Sequence, residues 1–142
     1  TLNYNNQPYI TFREEIEIIE RFLLIEKIRF EEKLQYSIDF EEAILDREVL
    51  CFITQPLVEN AIKHGFRAGP DGITIKISFT AAGSNCKVVI ENTGKIQDGN
   101  ISFGTGLKNV TERLENAYNG KYNLTINQEG DKVRVTLLIP EI

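Results

Sequence analysis

Residues 55–65 read QPLVENAIKHG, and the division of these eleven residues into two faces organises the rest of the chain. Wound as a helix at about 100° per residue, Leu57, Val58, Ala61 and Ile62 share one arc, while Glu59, Asn60, Lys63 and His64 share the other. Any surface helix has an apolar and a polar side. Here the polar side holds a carboxylate, a carboxamide, an ammonium and the single histidine of the chain within little more than one turn. Such groups can supply a base, an oxygen ligand for a hard cation and donors to phosphate or sugar, which is what holding a magnesium nucleotide requires. Spacing alone leaves a plainer reading open, with Glu59 and Lys63 as an i,i+4 surface pair and His64 as a helix-end residue.

The chain has 142 residues, the size of one domain, and can bury a core without metal or disulfide staples. Its formal charge of −5 argues against a general nucleic-acid binder, which needs a basic face. A small anionic ligand held by a few local donors remains compatible. Cys51 and Cys86 have no metal-like spacing and lie among apolar residues, so two buried reduced thiols are expected rather than a disulfide. No apolar run approaches the roughly 20 residues that span a bilayer, and direct membrane contact is not expected. The chain starts at Thr1 and contains no methionine, so it is read as a piece of a longer protein.

Outward from the central stretch, residues 1–9 are polar and read as a lead-in. Thr11 and Glu14 match a capping box, which predicts a helix over 12–33 with Ile16, Ile19 and Leu23 along one side. Phe22, Ile25 and Phe30 are left over for contact with a second chain or with its own core. Alternation predicts strands over 34–40, 73–80, 87–92, 122–128 and 132–140, with hairpins at 81–85 and at 129–131. Residues 41–46 read as a connector. A helix is expected from near Asp46 to Gly65, kinked or restarted at Pro56, and another over 106–118 ending at Gly120. The order predicts an α+β fold: a two-layer sandwich with a mixed, largely antiparallel sheet of about five strands and helices on one face, plus an N-terminal helix.

Two further segments could carry chemistry. Gly104-Thr105-Gly106 precedes a helix, where free amides attract anions and glycine allows close approach. Lys108 could add charge there. The strand end IENTGK (90–95) aims Asn92 at the gap between sheet and loop, with Gly94 permitting a tight turn. Each alone is also an ordinary loop-to-helix junction or strand end.

Together and in this order, QPLVENAIKHG, the Asn92–Gly94 turn and GTGLKNVTERL resemble the GHKL family of ATP-binding domains (the Bergerat fold), and within it the LytS-like sensor histidine kinases. The resemblance covers nearly the whole chain. It implies Asn60 as the magnesium ligand and Glu59 as the acidic residue assisting phosphoryl transfer. It implies Lys63 and His64 near the phosphates and ribose, and Asn92 and Gly94 at the adenine. Gly104, Thr105, Gly106 and Leu107 would form the second glycine box, with residues 95–103 as a lid. The implied cofactors are ATP and magnesium. The implied partners are a homodimer of the intact protein and a response regulator.

Residues 1–33 would be the end of a dimerisation and phosphotransfer region, and 34–142 the ATP-binding catalytic domain, on the cytoplasmic side of a membrane. The phosphoacceptor histidine would lie upstream, so His64 is not expected to be phosphorylated. Three positions depart from the family pattern: Asn92 stands for the usual aspartate, Ile96 for a glycine and Pro56 for an asparagine. Two rivals stay open: a degenerate or non-catalytic dimerisation module, which the neutral Asn92 favours, and an ATP-hydrolysing conformational switch of the same fold, which the short lid and short chain count against.

Overall fold

The computed structural model describes residues 8–94 and 105–142, with the backbone alone at 105 and 106. Its elements are β1 (Tyr9–Thr11), α1 (Phe12–Phe30), β2 (Leu34–Phe40), β3 (Glu48–Leu50), α2 (Thr54–Ala68), β4 (Ile73–Ala82), β5 (Asn85–Thr93), α3 (Thr105–Tyr118), β6 (Asn123–Glu129) and β7 (Lys132–Pro140). Five strands form one sheet in the order β2-β4-β5-β7-β6. β2 runs parallel to β4, and the other neighbours are antiparallel. The mixed sheet with helices layered on it is the expected fold class.

Period-two alternation builds the inner face of this sheet. Ile73, Ile75, Ile77 and Phe79 of β4 are buried beside Cys86, Val88 and Ile90 of β5 and Val135, Leu137 and Ile139 of β7. Register brings Ile77 opposite Ile90, and Ile90 opposite Val135, so the three rows meet on one side. The helices cover that side with Ile16, Ile19 and Leu23 from α1, Leu57, Val58, Ala61 and Ile62 from α2, and Leu107, Val110 and Leu114 from α3. The helix α1 is therefore built into the same core as the sheet. Both cysteines are buried and free, as expected of thiols in apolar surroundings.

Several boundaries differ from the sequence reading. The capping box forms, with Glu14 N–H donating to Thr11 Oγ1 at 3.2 Å and Thr11 N–H donating to Glu14 Oε1 at 3.1 Å. The helix it starts ends at Phe30 rather than 33, in a short 3₁₀ turn over Glu31–Lys33. Tyr9 is not part of a lead-in. It is buried in β1, which pairs antiparallel with β3.

The helix expected from Asp46 starts eight residues later, at Thr54. Val49 and Leu50 are both buried in β3, and Phe52 takes φ +59°, which no α-helix accommodates. Pro56 then falls in the first turn of α2, where its missing N–H has no helical partner to lose. Gly65 does not end the helix, which continues to Ala68 and caps at Gly69. Phe30 is not spare either: it stacks on Phe66 of α2 with ring centroids 4.5 Å apart. Ile25 stays 64% exposed, alongside Leu24 and Ile28 on the outer side of α1.

Candidate functional site

Helix α2 keeps the two faces its sequence prescribes. Leu57, Val58, Ala61 and Ile62 are buried, Glu59 and Lys63 are exposed, and Asn60 and His64 are half-buried between them. Asn60 and His64 thus sit at the edge of the buried face, and Glu59 and Lys63 on the side turned to solvent. Gln55 Nε2 donates to Glu59 Oε1 at 3.0 Å, which orients the carboxylate along the helix without covering it. Burial, reinforced by the cations of Arg67 and Lys63, holds the His64 imidazole below its usual pKa. The ring is therefore neutral at pH 7, with one nitrogen free to accept and the other to donate.

The end of β5 lies against the same helix. Asn92 continues the inner-face row of Cys86, Val88 and Ile90 and is buried, facing Ile75 on β4 and Val133 on β7 in register. A polar side chain in a core row needs a partner. Its Nδ2 donates to Thr93 O at 3.0 Å. Among the described residues no donor is placed on Oδ1, so that oxygen remains an acceptor for a ligand amine.

Glycines bring the two elements close. A Cβ on Gly65 would lie 3.0 Å from Ile73 Cγ2 and 3.3 Å from Asn92 Nδ2, and one on Gly94 would lie 3.2 Å from Ala68 Cβ. Gly94 also takes φ +135°, a conformation open to glycine alone. The turn there is braced by the β6–β7 hairpin, with Gly94 N–H donating to Asp131 O at 2.8 Å and Gln128 Nε2 donating to Gly94 O at 3.0 Å.

The structure brings Asn92 of β5 and Gly94 just beyond it against Gly65 and Ala68 of α2, while Asn60 and His64, half-buried, and Glu59 and Lys63, exposed, lie on the preceding turns of the same helix. Helix α3 packs on α2 and begins at Thr105, with Leu107 buried in the core. Gly104, the side chain of Thr105, the expected lid over 95–103 and Ile96 lie outside the described residues. Gly106 is described by its backbone alone, inside the first turn of α3.

No family model matches the chain. Over 134 residues, 93% of its length, it is 34% identical to the sensor histidine kinase BtsS of Escherichia coli (strain K12) and covers 24% of that protein. Over 148 residues it is 28% identical to the sensor protein LytS of Enterococcus faecalis, covering 94% of this chain and 25% of LytS. The solved catalytic domain of histidine kinase ThkA superposes with a TM-score of 0.70 at 16% identity, over 95% of this chain and 97% of that domain. The chain has the fold of a histidine kinase catalytic domain, and its relatives are sensor histidine kinases. It spans about a quarter of the length of the curated relatives it matches. ThkA has also been solved in complex with the response regulator protein TrrA, where the match has a TM-score of 0.66 at 16% identity, over 96% of this chain and 42% of that one.

On this histidine kinase fold, three residues matter that sequence reading passed over. Glu15 is fully buried, and its carboxylate accepts the amides that open α2. Its position was a usable signal, because it falls on the apolar arc of α1 between Phe12 and Ile19, where a carboxylate without a partner is costly. Arg113 of α3 donates to Cys51 O at 2.6 Å and Phe52 O at 3.2 Å. Neither Arg113 nor Gln128 carries a local pattern that marks it.

Proposed function

We propose that this chain is the ATP-binding catalytic domain of a sensor histidine kinase, transferring the γ-phosphoryl group of ATP to a histidine on a segment upstream of these residues. The observation that supports this reading is the close approach of α2 to the end of β5 at Gly65, Asn92 and Gly94, with the polar face Glu59–His64 on the preceding turns of the same helix.

The residues fit a magnesium nucleotide. Gly65 and Gly94 let α2 and β5 approach closely beside Asn92, where an added Cβ would crowd Ile73 and Ala68 at 3.0 and 3.2 Å. Among the described residues no trio of His, Cys, Asp and Glu converges, and the available ligand is a carboxamide oxygen. That donor set suits magnesium, which takes one or two protein oxygens and keeps the rest for water and phosphate. When bound, magnesium neutralises charge on the transferring phosphoryl group.

Asn60 would hold it through Oδ1. Asn92 Oδ1 would accept from the adenine amine, and the neutral oxygen makes a weaker bond than the carboxylate usual in the family. Lys63 and His64 would contact phosphate and ribose. Glu59, exposed and steadied by Gln55, would orient the incoming imidazole and accept its proton as nitrogen takes the phosphoryl group and ADP leaves. The backbone at Gly104 and Gly106 would approach the phosphates, with Thr105 and Leu107 completing that turn. In the intact protein the partners would be a second copy and a response regulator, and the domain would face the cytoplasm. The inner side of α1 is built into the core, so its outer side would continue from the dimerisation region.

Titration with ATP and magnesium, for wild type and Asn60→Ala, tests the binding half. Metal-dependent affinity should fall at least tenfold in the variant, as expected for loss of a ligand and its charge geometry. Mixing the chain with a purified upstream histidine segment and labelled ATP should then yield an acid-labile phosphohistidine. Phosphate release without that product would overturn the kinase reading in favour of an ATP-hydrolysing switch.

A further inference from the structure

Ahead of α2 the chain turns sharply through Cys51–Thr54, and this elbow is gripped from two helices. Phe52 adopts φ +59° with its side chain half exposed, so packing of the ring is not what enforces the turn. A bulky residue in that conformation persists only where its surroundings over-determine it. From α1, both oxygens of the Glu15 carboxylate are engaged: Phe52 N–H donates to Oε1 at 3.0 Å, while Ile53 and Thr54 N–H donate to Oε2 at 3.0 Å each. From α3, one guanidinium donates to two successive carbonyls, Cys51 O and Phe52 O. The N-cap residue Ile53 has no side-chain cap of its own, so the start of α2 is defined by a carboxylate 39 residues away. Further along, α1 holds α2 again through the Phe30–Phe66 stack.

We propose that Glu15 and Arg113 are positioning residues of the nucleotide site, clamping the 51–54 elbow so that α2 presents Asn60 at a fixed height between α1 and α3. This rests on the reading of Asn60 as magnesium ligand given above. The clamp is specific in its chemistry. A glutamine at 15 offers one acceptor oxygen and turns an NH2 group toward an amide that also donates. A glutamine at 113 lacks the planar fork that spans two carbonyls.

The test is titration of the 142-residue chain with ATP, with magnesium and with a chelator, for wild type, Glu15→Gln, Arg113→Gln and the control Leu23→Ala. Leu23 is fully buried in the shared core and makes none of the elbow's hydrogen bonds, so its variant lowers thermal stability without removing either arm of the clamp. The readout is the ratio of affinities with and without magnesium. In both clamp variants this ratio should fall by about tenfold, because displacing a ligand by a fraction of an ångström is costly, while metal-free affinity changes less than about twofold. The control should keep the wild-type ratio even where its melting temperature drops further. If wild type binds no nucleotide, the proposed function itself falls and takes the clamp with it. If wild type shows a magnesium-dependent gain that Arg113→Gln and any folded Glu15→Gln share in full, or that the control loses equally, the clamp is overturned and the function stands.

Discussion

At His64 a neutral imidazole is kept beside two cations. Burial and the charges of Arg67 and Lys63 all lower its pKa below 6.5. The sign of the consequence follows from proton counting. Below pH 6.5 the unfolded chain takes up a proton on this ring before the folded chain does, so stability from His64 is present above 6.5 and is lost as pH falls through the folded value. A polyphosphate placed against Lys63 and His64 acts in the opposite direction, favouring the protonated ring. Nucleotide binding should therefore take up a proton, and affinity should rise severalfold between about pH 7 and pH 6. Calorimetry in buffers of different ionisation enthalpy measures that uptake, which His64→Gln should abolish. The same ring should carry no phosphate after incubation with ATP.

Helix α2 shows how much of an element its own sequence can specify. Both of its faces were legible from the eleven residues 55–65, because burial follows the 3.6-residue period. The strands over 34–40 and 132–140 were legible to the residue from alternation. The start of α2 was not, because its cap comes from Glu15 through three-dimensional contact rather than from a neighbouring Ser, Thr or Asp. Its end was misread at Gly65 for a related reason: glycine there serves close approach to Ile73 and Asn92, not termination. Gly65→Ala tests the close approach. Alanine is the better helix former by about 1 kcal/mol, so a helix-interior glycine with open space around it would gain stability. A Cβ at 3.0 Å from Ile73 Cγ2 instead requires α2 or β4 to shift, and the expected result is a net loss of about 1–3 kcal/mol in denaturant unfolding. ATP affinity should fall with it, since α2 carries Asn60 and β4 pairs with the strand that carries Asn92.

Across the whole molecule, the order of helices and strands was legible and the tertiary pairings were not. Alternation identifies five sheet strands but says nothing about β2 lying parallel to β4 at one edge, nor about the short β1–β3 pair that ties the chain's beginning to the elbow. The same holds for α1. Its periodicity marks Ile16, Ile19 and Leu23 as core, yet only the packed structure separates Phe30, used on Phe66, from Leu24, Ile25 and Ile28, which stay 57–79% exposed. These three fall at i, i+1 and i+4, one stripe on the side of α1 turned away from the sheet. Exposed residues contribute little to folding, so replacing all three with glutamine should change unfolding stability by no more than about 0.5 kcal/mol per site and leave ATP binding intact. In the protein carrying its upstream region, the stripe is proposed to extend a contact between copies, and loss of three exposed apolar side chains should weaken self-association by about tenfold or more. Sedimentation equilibrium of the longer protein, wild type against the triple variant, reads this directly. Equal dissociation constants would remove the outer side of α1 from the dimer and leave its role confined to holding α2.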